Sequence, residues 1–268
     1  MSDRWRAMPL GWTSTAVLVL SSLIGLMAFL WPFFVSPDSG LGHNRDAPLL
    51  FAATLAMVVL VLLAEIARGG IDSRALALLA VLTAVGAALR PLGGGLTGFQ
   101  PMLVVFILGG RALGPGFGFM LGLLATFASA LLTGGVGPWL PFQMLAGGWL
   151  AMGAGLLPAL RGRAEVIMLA VYGAVSSVLY GFALNLWFWP FATNPDSAIA
   201  FVAGDQVVDN LQRFFAFNLV TSLGFDIPRA IGTAVLVMLL GGALLRSMRR
   251  ASRRAAFGDE VSFEPAAS

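Results

Sequence analysis

Apolar stretches, seven or eight of them, fill nearly all of this 268-residue chain, and its sixteen Arg residues (there is no Lys) fall almost wholly into alternate gaps between them. Arg4 and Arg6 precede the first stretch, Arg68 and Arg74 flank the second gap, and Arg111 marks the fourth. Arg161 and Arg163 occupy the sixth, and Arg246, Arg249, Arg250, Arg253 and Arg254 follow the last. The intervening gaps carry Asp38, Asp46, Asp196, Asp205 and Asp209, with Arg45 and Arg213 as minority cations. Basic loops stay in the cytoplasm. The alternation therefore predicts a polytopic membrane protein with an even number of crossings and both termini cytoplasmic, in the plasma membrane.

At 58% hydrophobic and 11% charged residues, the chain cannot build both a soluble core and a soluble surface. Its net charge of +3 sits at helix ends, where cations anchor to headgroups, so it is no nucleic-acid footprint. Without Cys, disulfides, thiolate metal sites and Cys nucleophiles are excluded. The Arg-flanked first stretch is too long for a signal peptide, and Trp31-Pro32-Phe33-Phe34 offers no small-residue cleavage site, which makes it a retained helix.

About 20 apolar residues span a hydrocarbon core. Segments at 14–35, 48–68, 73–91, 116–133, 139–160, 165–190 and 226–246 are long enough, whereas 101–112 is too short to cross upright and must be shielded by neighbours. The expected class is an all-α bundle of about eight membrane segments. Residues 1–72 form two accessory helices, 73–246 a six-helix core, and 247–268 a cytoplasmic tail without fixed structure. Within the outer loop at 191–212, Val207, Val208, Leu211, Phe214 and Phe215 recur at helical spacing against Asp205, Asp209, Gln212 and Arg213, which describes an amphipathic helix on the outer face.

Small residues let membrane helices approach closely. Three series stand out: Ala80, Ala84 and Ala88; Gly118 and Gly122; Gly147, Ala151 and Gly155. Each reads most simply as packing inside the bundle. The Ala series nevertheless makes a flat stripe along a whole helix, suited to docking and releasing a partner's helices.

Intramembrane catalysis needs ionisable groups at depth, and these are almost absent. Glu65 sits beside Arg68 at an inner end, the sole His, His43, lies in an outer loop, and no nucleotide-binding G-x-x-x-x-G-K-[ST] run occurs. The expectation is a binding or translocating subunit, with no catalytic residue, no metal and no cofactor of its own. Polar and aromatic residues gather instead at outer ends: Arg90, Thr97, Gln100, Trp139, Gln143, Tyr180, Asn185, Trp187, Asp226 and Arg229. Such a mixture is what a pocket for a planar small molecule requires. Trp139 and Trp187 also fit an interfacial belt, and Asp226 before Pro228 reads as an N-cap whose charge Arg229 pairs. Gln143, one turn into a Pro-framed helix start in GPWLPFQM, faces either lipid or a cavity.

From about Leu76 to Leu245 the chain resembles the substrate-binding S component of energy-coupling factor (ECF) transporters, vitamin-importing ABC systems. LALLAVLTAVGAALR carries the A-x-x-x-A of a first core helix, and FQPMLVVFILGGRALGPGFGFMLG matches a short second helix, its turn and the start of the third. GPWLPFQMLAGGWLAMGAGLLP matches the outer loop and fourth helix, and YGFALNLWFWP with FDIPRAIGTAV the fifth and sixth. The resemblance implies a six-helix core that binds a micronutrient from outside and docks through Ala80, Ala84 and Ala88 on a transmembrane coupling subunit. Two ATPase subunits would hydrolyse the ATP. Residues 1–72 depart from the usual six helices. Arg90, Gln100, Trp139, Gln143, Asn185, Trp187 and Arg229 are the candidate substrate contacts, with a vitamin, and a cobalamin-like one in particular, as the expected ligand. A stand-alone secondary carrier of a small organic solute is the alternative.

Overall fold

A backbone in hydrocarbon must satisfy its own hydrogen bonds, and this chain does so with helices. The computed structural model describes residues 12–34, 53, 57, 73–93, 98–192, 194 and 196–256. The helices are α1 (Trp12–Leu30), α2 (Ser73–Leu89), α3 (Met102–Leu113), α4 (Pro115–Thr133), α5 (Leu140–Leu156), α6 (Gly162–Ala192), α7 (Val207–Thr221) and α8 (Leu223–Ala256). Short 3₁₀ turns follow α1 at Trp31–Phe33 and α2 at Pro91–Gly93. No strand occurs among the described residues. Thr15–Phe33, Ser73–Gly93, Pro115–Thr133, Gly162–Ala192 and Leu223–Ser252 are each long and apolar enough to cross a membrane. The expected segment at 48–68 lies outside the described residues, apart from two helical positions. The other expected segments each coincide with a helix.

The short helix is the centre of the bundle. At about 1.5 Å per residue, the 12 residues of α3 rise roughly 18 Å, well short of the hydrocarbon thickness. Every one of them except Ala112 is buried, against α2, α4, α5, α6 and α8. The chain then reverses at Gly114, whose φ of 103° suits only glycine. This non-helical backbone is tolerated because protein, not lipid, surrounds it.

Two of the three small-residue series turn out to be internal packing. Gly118 lies with its Cβ direction 2.7 Å from both the Ala151 carbonyl oxygen and Gly110 Cα, and Gly155 faces the Pro115 nitrogen and the Gly110 carbonyl at 2.7 and 2.8 Å. Gly122 abuts the backbone of Gly147. Thus α3, α4 and α5 meet backbone to backbone. On α2, by contrast, Leu79, Leu82 and Gly86 face inward while Ala80, Ala84 and Ala88 are exposed.

Helix α1 lies on α5 and α6, where Trp149 donates its indole N–H to Ser22 Oγ at 2.9 Å. Phe29 meets Phe142 edge-on with centroids 5.0 Å apart, and Trp31 stacks on Phe191 at 5.8 Å. The first accessory segment is therefore built into the core.

Two helices differ from their expected extent. α8 starts at Leu223, directly after α7, so Asp226 stands inside the first turn rather than capping it. It also continues to Ala256, ten residues past the expected end, because Arg249 is tied back to α6. α7 does form where the amphipathic pattern stands, but most of its apolar stripe is turned out rather than in. Val208, Leu211, Phe215 and Leu219 are exposed, while Asn210, Phe214, Phe217 and Asn218 point inward.

Candidate functional site

Contacts between helix ends sort the bundle into two ends. Arg90 closes α2 and donates to Ser129 Oγ on α4 at 2.9 Å and to Gln143 Oε1 on α5 at 3.2 Å. The C-terminal ends of α2 and α4 and the N-terminal end of α5 therefore share one end. At the opposite end, Arg111 closing α3 reaches Glu165 opening α6 at 2.6 Å, and Arg249 of α8 reaches the same carboxylate at 2.7 Å. Arg161, Arg163, Arg246 and Arg250 lie near these contacts in sequence.

The Arg90 end holds a cavity of about 290 Å³. The turn after α2 contributes Arg90, Pro91 and Gly93, and the segment entering α3 contributes Gly98, Phe99, Gln100 and Met102. Thr133 of α4, Gln143 of α5 and Tyr180 of α6 complete the wall. Pro141 near the start of α5 sets the helix so that Gln143, one turn in, faces the guanidinium instead of lipid. Ser129 and Thr133 sit one turn apart at the end of α4, each returning its hydroxyl proton to a helix carbonyl, at 2.7 and 2.8 Å. The Ser129 oxygen is thereby left free to accept from Arg90. Gln100 Oε1 is buried with no hydrogen-bond partner, an acceptor waiting for a donor. Arginine is the cavity's one formally charged wall residue.

Arg90, Gln100 and Gln143 are thus brought together, with Tyr180 opposite, and the other sequence-derived candidates stand outside the lining. Trp139 is 40% exposed and donates to the Gly135 carbonyl at 3.0 Å, bracing the turn between α4 and α5. Trp187 packs its buried ring on Phe142, 5.4 Å between centroids, under α1. Asn185 donates to Asn218 Oδ1 at 2.7 Å and to Ser222 Oγ, joining α6 to α7 and to the start of α8. Arg229 pairs with Asp226 at 2.7 Å and donates to the Ser177 carbonyl at 3.3 Å, its guanidinium 5.8 Å from the Tyr180 ring centroid. It supports the Tyr180 wall from behind. Thr97 lies outside the described residues.

Phe99, Met102 and Thr133 were not singled out from sequence. For Thr133 a signal existed, the Ser129/Thr133 pair one helical turn apart in an otherwise apolar segment. Phe99 and Met102 carry none in a chain this hydrophobic.

Above the bundle, the segment between α6 and α7 is held to α7. Asn210 accepts from the Val202 N–H at 3.1 Å and donates to its carbonyl at 2.7 Å. Arg213 donates to Asp205 at 2.6 Å, and this hydrogen bond holds the Asp205 carboxyl below its usual range. No α7 residue lines the cavity, so the amphipathic helix does not cover it.

A family description, "ECF transporter, substrate-specific component", matches residues 74–241. Comparison with curated proteins and with solved structures gives no match. The matched stretch takes in α2 through most of α8, with all the walls of the cavity and the exposed Ala stripe, and leaves α1 as an addition to that core. With its all-helical polytopic bundle, the chain belongs to the substrate-specific components of ECF transporters, a family of substrate-binding membrane subunits, not enzymes, that work with a membrane coupling subunit and ATPases.

Proposed function

We propose that this subunit binds a vitamin-like micronutrient in the Arg90–Gln100–Gln143–Tyr180 cavity and hands it across the membrane with a transmembrane coupling subunit and two ATPases. The observation that carries the reading is the cavity itself, lined by polar and apolar residues in equal measure and placed at the Arg-poor end of the bundle. Basic residues mark the cytoplasmic side, so the end with Arg111, Arg161, Arg163, Arg246 and Arg249 faces inward and the cavity faces out. α1 agrees, because its C-terminal aromatics pack near the C-terminal end of α6 on the cavity side, which directs its N-terminus inward.

Small-molecule pockets typically hold about 300–1,000 Å³. The present cavity, at about 290 Å³, stands at the lower edge of that range and supports a ligand smaller than a cobalamin-like one. Gln143→Leu keeps size and removes the amide that fixes Arg90. Leaving polar groups unpaired costs about 1–3 kcal/mol, roughly tenfold to a hundredfold in affinity. Titration of the purified variant with candidate vitamins should show that loss, with only a small fall in the ligand-free melting temperature because Arg90 keeps its bond to Ser129. Unchanged affinity would move the site elsewhere.

Docking is assigned to Ala80, Ala84 and Ala88. The support is their exposure on α2, opposite in character to the glycine series that the bundle consumes, and the placement of α1 on α5 and α6, where it leaves the stripe open. Ala84→Trp should keep vitamin binding and lose both uptake and co-purification with the coupling subunit. Loss of binding with the partner retained would make the stripe internal packing.

A further inference from the structure

The charge of the cavity narrows what it accepts. Among the described Arg residues that are not exposed, four have a carboxylate partner: Arg111 and Arg249 share Glu165, Arg213 has Asp205 and Arg229 has Asp226. Arg90 has none among the described residues, and it donates to two neutral acceptors, Ser129 and Gln143. A guanidinium presents five N–H donors in a fixed fork, so these two bonds leave a donor edge uncommitted. An uncompensated cation near membrane depth is costly unless an anion or water meets it. No Asp or Glu lines the cavity to do so.

A second cation lies close by without adding to this charge. Arg229 is over the Tyr180 ring, and Asp226 neutralises it at 2.7 Å. The cavity therefore presents one net positive charge. Its other unmet group is the Gln100 oxygen, which asks for an N–H or O–H. Phe99, Met102 and Tyr180 supply flat and apolar contact between the two.

We infer, on the reading of this cavity as the substrate site, that its ligand is a compact carboxylic acid bound as a monoanion. The carboxylate takes the free edge of Arg90 in charge-assisted hydrogen bonds, a donor on the ligand meets Gln100 Oε1, and an apolar or aromatic body lies on Tyr180. A neutral amide of the same shape forfeits the charged bonds, and a cation is repelled by Arg90. A cavity of about 290 Å³ suits a compact body, at the small end of what such pockets hold.

The test uses the purified full-length protein and the small-molecule fraction of yeast extract as probe, with captured compounds read by mass spectrometry. Wild type should enrich a monocarboxylate. Arg90→Gln should lose it at least tenfold while the ligand-free protein remains folded and monodisperse, and Arg90→Lys should retain part of it. The primary amide of the captured acid should bind wild type at least tenfold more weakly, a comparison that needs no variant to fold. Enrichment of a neutral or cationic compound that Gln143→Leu abolishes would overturn the inference and leave the substrate-site reading intact. Capture of nothing, or of a compound indifferent to both Arg90→Gln and Gln143→Leu, would overturn the substrate-site reading together with the inference.

Discussion

Gly122→Leu should prevent the protein from accumulating as a folded, monodisperse species, whatever the ligand or partner present. A side chain at Gly122 would enter the space held by the Gly147 carbonyl and the Gly148 nitrogen, and both belong to the backbone of α5. Overpacking a core typically costs about 1–3 kcal/mol because neighbouring side chains can yield. Here the obstacle is main chain, and α4 can clear it only by withdrawing from α5. That withdrawal would also strip the contacts of Gly118 and Gly155, since the Ala151 carbonyl, Gly110 and Pro115 meet along the same seam. The loss should therefore exceed about 3 kcal/mol. Gly122→Ala should give a smaller defect of the same kind, read as a lowered melting temperature in detergent. A well-folded Gly122→Leu protein with wild-type melting would show that the two helices do not pack as closely as described.

That seam shows what sequence could and could not say. Small residues at four-residue spacing announce close approach, and the structure shows it for the two glycine-containing series. The spacing is the same whether the partner helix belongs to this chain or to another subunit. Only the placement of α2, with Leu79 and Leu82 turned inward, separates the outward Ala84 from the inward Gly122. The helices themselves were legible because apolar length and Arg placement reflect the membrane directly.

The cavity was half legible for a related reason. Arg90, Gln100 and Gln143 are polar groups that an apolar segment must account for, so their types alone drew notice. Asn185 and Arg229 drew it equally, and both proved to join helices, through Asn218 and the Ser177 carbonyl. Whether a polar residue at a helix end meets ligand or protein depends on the direction of its side chain, and that is set by contacts more than thirty residues away in sequence. Glu165 drew no notice at all. Two residues from Arg163 and at a helix start, it looks like one more headgroup-level charge.

Glu165→Gln should destabilise the protein more than any substitution on the cavity wall. The Glu165 carboxylate and the Arg111 guanidinium are 3% and 2% exposed, and Arg111 also donates to the Leu157 and Pro158 carbonyls at 2.8 and 2.9 Å. One arginine thus terminates α3, closes the C-terminal end of α5 and meets the first turn of α6. Neutralising the acid strands a buried cation, a change that typically costs about 3–5 kcal/mol. Arg249 is 38% exposed, so Arg249→Gln should cost much less, in the range of about 0–1 kcal/mol for solvent-screened pairs, because Arg111 still holds Glu165. The double change Arg111→Met with Glu165→Leu removes both charges and should recover part of the loss. It should not recover all of it, since the carbonyls of Leu157 and Pro158 then lose their donor, at about 1–3 kcal/mol for each that stays buried. Melting temperatures of the three ligand-free proteins should therefore order as Arg249→Gln highest, the double variant next and Glu165→Gln lowest. Equal losses for Glu165→Gln and Arg249→Gln would mean that water, not Glu165, compensates Arg111, and the closed Arg111–Glu165 contact would have to be abandoned.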